Sequence, residues 1–81
     1  MVELDGILDV LNELVDDSAV PKNVKTKIKS TIDALSEDVD LSIRVNKALH
    51  ILDDISDDAN LQSYTRTQIW NVVSLLENLQ S

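Results

Sequence analysis

Apolar residues recur along this chain at helical spacing from one end to the other. In the first segment Leu4, Ile7, Leu8, Leu11, Leu14 and Val15 mark one face, the spacing of an amphipathic helix. Asp16-Asp17-Ser18 breaks the stripe, and Pro21 then stands where proline is best tolerated, at the start of a new helix. Val24, Ile28, Ile32 and Leu35 form the second stripe, which ends at Ser36-Glu37-Asp38. Asp40 is placed to cap a third helix carrying Leu41, Val45, Ala48, Leu49, Leu52 and Ile55. Beyond Asp57-Asp58-Ala59-Asn60 the fourth stripe is Ile69, Val72, Val73, Leu76 and Leu79, with a start at either Asn60 or Ser63.

The second half of the pattern repeats the first. Ile7 to Glu37 lies over Ala48 to Asn78 without a gap, with Leu8 on Leu49, Leu11 on Leu52, Asp16-Asp17 on Asp57-Asp58, Thr26 on Thr67, Ile28 on Ile69 and Leu35 on Leu76. The unit is a helical hairpin used twice. Connections of about five residues make successive helices pack antiparallel. Two architectures satisfy this: a four-helix up-and-down bundle, or two stacked hairpins of the armadillo and HEAT type. Stacked arrays need about three or more units to cover their faces, whereas four stripes closing on one another bury all of them. The expectation is therefore an all-α bundle of two pseudo-repeated hairpins, with residues 1–81 as a single helical domain and repeats at about 7–37 and about 48–78.

Asp16-Asp17-Ser18-Ala19-Val20-Pro21-Lys22-Asn23-Val24, Ile51-Leu52-Asp53-Asp54-Ile55-Ser56-Asp57-Asp58 and Arg66-Thr67-Gln68-Ile69-Trp70-Asn71 resemble a family of small archaeal proteins of unknown function, number zero-one-four-seven of the uncharacterised-protein-family series. The resemblance spans nearly the whole chain, and Arg-Thr-x-Ile-Trp-Asn is its most specific part. It implies a compact four-helix bundle of bromodomain-like topology and an archaeal cytoplasm, and it carries no activity. One departure is Gln62, where the resemblance implies a second proline matching Pro21.

Composition narrows the function. Fifteen acidic residues against seven basic ones give a net charge of −8, which repels nucleic acid and anionic membrane surfaces. The absence of cysteine removes disulfides and thiolate chemistry and fits a reducing cytosol. No segment resembles a signal peptide, and no apolar run approaches the roughly 20 residues of a membrane span. Catalysis is not expected: there is one histidine, no cysteine, and no glycine-rich phosphate cradle. No cofactor is expected either.

Two surface patterns remain as candidates. His50, Asp53, Asp54 and Asp57 project opposite Leu52, and their repeat partners Asp9, Asn12, Glu13 and Asp16 project opposite Leu11. Either stripe could share a divalent cation. The simpler reading is a solvated face, because di-metal bundles converge ligands inward from several helices. The basic residues Lys22, Lys25 and Lys29 form a stripe on the second helix, expected to pair with acidic helices. The second pattern is a failure of the repeat, since Lys29 of the first hairpin becomes Trp70 in the second. Arg66, Trp70, Val73 and Glu77 then share one edge of the fourth helix, a composition enriched at binding hot spots. The functional expectation is an acidic, non-catalytic protein-interaction module, self-associating or docking on another protein through this edge. The alternatives are a cation-binding role for the acidic stripes, and a Trp70 that fills an asymmetric core.

Overall fold

The structure, a computed structural model, describes residues 2–80, and side chains for 4–79; Met1 and Ser81 lie outside the described residues. Four helices follow in order: α1 (Val2–Asp16), α2 (Lys22–Leu35), α3 (Leu41–Ser56) and α4 (Ser63–Gln80). The connections are five or six residues long. Five extended residues reach at most about 17 Å, less than the roughly 24 Å rise of a helix the length of α3. Each connection therefore turns the chain back beside the helix it has just left.

α1 packs on α2, α2 on α3, α3 on α4, and α4 returns to α1. The diagonal pairs α1–α3 and α2–α4 do not approach one another. In stacked hairpins the equivalent helices would lie side by side, so the ring distinguishes the closed bundle from the HEAT-type alternative.

The core carries the repeat into three dimensions. Leu11 and Leu52, Leu14 and Ile55, Val20 and Leu61, Ile28 and Ile69, and Leu35 and Leu76 are all buried. Among the described residues, two further core positions are polar. Thr31 and Thr65 are buried, and the repeat places Thr31 on Val72 and Thr65 on Val24. Each threonine thus takes a valine-shaped site, and the Thr31 hydroxyl donates to the Lys27 carbonyl at 3.0 Å. At the end of the repeat the pattern breaks: Ala34 is buried, whereas its counterpart Leu75 is 43% exposed.

The two hairpin turns share one device. Asp17 Oδ1 accepts the Ala19 N–H at 2.9 Å, and Asp58 Oδ1 accepts the Asn60 N–H at 2.8 Å, the side chain mimicking a backbone turn. The second aspartate of each acidic pair therefore shapes the turn. α4 begins at Ser63 rather than Asn60, with the Arg66 N–H bonding the Gln62 carbonyl as the Lys25 N–H bonds that of Pro21. Gln62 thus fills the structural place of Pro21 without being proline. Pro21 itself stands just before α2, and Asp40 takes the N-cap position of α3 without a side-chain capping bond.

Neither α2 nor α3 has a basic residue in its last turn. The next helix supplies one. Arg44 Nη1 donates to the Leu35 carbonyl at 3.3 Å, and Arg66 donates to the carbonyls of Ser56 at 3.4 Å and Asp58 at 3.1 Å. A cation at a helix C-terminus satisfies free carbonyls and opposes the negative end of the helix dipole.

Candidate functional site

α3 and α4 pack through Val45, Ala48, Leu52 and Ile55 on one side and Ile69, Val72 and Leu76 on the other, all buried. The rims of the two helices then lie one turn outward from this seam. Residues three and four apart share a helix face, so Asn46, His50 and Asp53 line up on α3 while Trp70, Val73 and Glu77 line up on α4. Between them runs a groove of about 720 Å³. Leu49 from α3 and Val73 from α4, both partly buried against the core, supply its apolar surface.

Trp70 is 56% exposed, while its neighbour Ile69 is fully buried. The alternative that Trp70 fills the core is therefore excluded. The exposed large apolar side chains among the described residues are Val39, Ile43, Tyr64, Trp70 and Leu75, and of these Trp70 alone lines the groove. Tyr64 turns elsewhere, its hydroxyl accepting a hydrogen bond from Gln68 Nε2 at 2.9 Å.

The structure rearranges both sequence-derived candidate sets. His50 and Asp53, from the acidic stripe, and Trp70, Val73 and Glu77, from the α4 edge, line the same groove. Arg66 is not among its lining residues: its guanidinium is held by the carbonyls closing α3. Asp54 is drawn the other way, into a 2.8 Å ion pair with Lys27 of α2. Asp57 is exposed at the C-cap of α3. The stripe thus fans out over three surroundings, and among the described residues no group of three or more His, Cys, Asp or Glu could hold a metal ion. The lysine that pairs with an acidic helix is Lys27, which stands outside the Lys22, Lys25 and Lys29 stripe. The Asp54 carboxylate raises its pKa above the ordinary 10.5, chiefly through their hydrogen bond.

The groove could not be read from the sequence, because helical periodicity gives each face but not how α3 and α4 rotate against one another. The acidic stripe marked one wall of it and the Lys29–Trp70 mismatch the other, but nothing in the sequence joined them. No helix among the described residues is long and apolar enough to cross a membrane.

Residues 2–79 match the model of an uncharacterised protein family, UPF0147. UPF0147 protein MJ1419 of Methanocaldococcus jannaschii is 40% identical over 78 residues, covering 95% of this chain and 84% of that protein. A UPF0147 protein of Metallosphaera sedula is 42% identical over 73 residues, covering 88% and 81% respectively. Both organisms are archaea. The crystal structure of the unknown function protein MMP1188 shares the fold with a TM-score of 0.88 and 42% identity, covering 93% of this chain and 86% of that one. Matched along nearly its whole length and in its four-helix fold, the chain belongs to the UPF0147 family.

Proposed function

We propose that this chain is a non-catalytic, acidic protein-docking module of the cytoplasm, and that the α3–α4 groove is its docking face. The observation that carries the reading is Trp70, 56% exposed beside a groove whose apolar surface comes from Leu49 and Val73. Leaving that much indole in water forgoes burial worth roughly 25 cal/mol per Å², and a partner covering it recovers that free energy. Tryptophan is also the residue type most enriched among side chains that dominate interface energies. The core supports a non-catalytic reading: its buried polar side chains among the described residues are Thr31 and Thr65, neither of which titrates in the working range.

The test is Trp70→Lys, which restores the first-repeat residue. At an exposed site the variant should stay folded, within about 0.5 kcal/mol of the parent in urea denaturation. Leu52→Ala in the core should instead cost about 2–5 kcal/mol. In quantitative co-purification from the native cell, a partner retained by the parent should be lost from Trp70→Lys. Identical retention by both proteins, or unfolding of the variant, would contradict the docking face.

A further inference from the structure

We propose that the α3–α4 groove takes a basic, lysine- or arginine-bearing segment of a partner polypeptide. This rests on the docking reading above and adds the chemistry of the occupant. The groove presents Leu49, Val73 and the Trp70 indole as apolar surface, and its ionisable groups are His50, Asp53 and Glu77. No lysine or arginine lines it. The basic side chains of the flanking segments are engaged elsewhere: Arg66 with the end of α3, Lys27 with Asp54, and Lys47 with Glu37 at 2.8 Å. The two acidic groups therefore face the groove from opposite walls, Asp53 on α3 and Glu77 on α4, with no lysine or arginine among the described residues that line it.

A basic segment complements each of these features. Its aliphatic stems lie along Leu49 and Val73 while the charged heads stay at the rim. An ammonium or guanidinium over the indole face is attracted by the ring quadrupole, an interaction strongest for tryptophan. Neighbouring cations meet Asp53 and Glu77, and the net charge of −8 draws such a segment in from a distance. A second copy of this chain is a poorer occupant. An isologous pair would bring the acidic groups of one groove against the same surface of a second body of equal negative charge.

The experiment titrates the full chain into fluorescein-labelled decapeptides at low salt, following anisotropy. The peptides alternate lysine with glycine, leucine with serine, or glutamate with glycine. The lysine peptide should bind saturably and at least about tenfold more tightly than the other two. Trp70→Lys should weaken it by about tenfold or more, and so should the Asp53→Asn/Glu77→Gln double variant, whose conservative exposed changes leave the fold in place. The Glu13→Gln/Asp16→Asn double variant removes the same charge from α1 and should stay within about twofold of the parent. An equal loss from the α1 variant would assign the attraction to the acidic surface as a whole and overturn the proposal. Trp70-dependent binding of the leucine peptide in preference to the lysine peptide would overturn the basic occupant while leaving the docking face standing. Binding of none of the three peptides would remove both. Spermine binding more tightly than the lysine peptide, with the same dependence on Trp70, Asp53 and Glu77, would reassign the groove to a small polycation. A Trp70-dependent dimer in light scattering would give it to a second copy.

Discussion

Gly6 lies on the exposed side of α1 with φ outside the left-handed region, and a Cβ built on it meets nothing within 4 Å. Neither a turn nor a close approach needs glycine there. Gly6→Ala should therefore stabilise the protein by roughly 0.5–1 kcal/mol, by lowering the entropy of the unfolded chain; a shift of the urea midpoint at constant slope would measure it. Other single residues show how far side-chain type can be read without coordinates. The core stripes were legible because burial follows periodicity, and even Thr31 and Thr65 carried a signal, since the repeat pairs each with valine. The Trp70 mismatch was legible as a peripheral position for the same reason. Arg66 was not. Its place on the α4 edge said nothing of the carbonyls at the end of α3, toward which a long cationic side chain turns. A carboxylate between two helices can serve either, so the sequence does not assign the pairs Asp16-Asp17 and Asp57-Asp58; the bonds from Ala19 and Asn60 give Asp17 and Asp58 to the turns.

Between elements, the α2–α3 contact combines buried packing with the exposed Lys27–Asp54 pair. Folding raises the pKa of Lys27 above its ordinary 10.5, first through the hydrogen bond to Asp54. A group whose pKa is raised in the folded state adds stability that is fully present below the unfolded pKa and lost as pH rises through the folded one. The difference in thermal midpoint between the parent and Lys27→Met should therefore be constant from neutral pH to about 10, then shrink at higher pH. It should also be small throughout, because both partners are exposed to solvent. A difference that grows above pH 10 would contradict the pairing. The helices themselves were legible almost to their ends, whereas their mutual rotation was not. That rotation is set by how Leu52, Ile55, Ile69 and Leu76 interdigitate, and it brings His50 and Asp53 beside Trp70 and Glu77. The groove is a property of the packed pair, so one helix at a time could show only its halves.

For the whole molecule, fifteen acidic groups oppose seven basic ones, and the ion pairs among the described residues are Lys27–Asp54 and Lys47–Glu37, both exposed. Self-repulsion therefore outweighs pairing, and the thermal midpoint should rise as NaCl increases from 10 to 300 mM and the Debye length falls below about 10 Å; a falling midpoint would make specific ion pairs the larger effect. The same charge favours a cationic occupant for the Trp70 groove, as proposed above. Trp70 is the sole tryptophan of the chain, so its emission reports on that groove alone. Acrylamide quenching should be efficient in the free protein and should drop markedly when the lysine–glycine decapeptide is bound. Weak quenching in the free protein would mean that Trp70 is buried, and quenching unchanged by saturating peptide would mean that the groove is not where the basic segment docks.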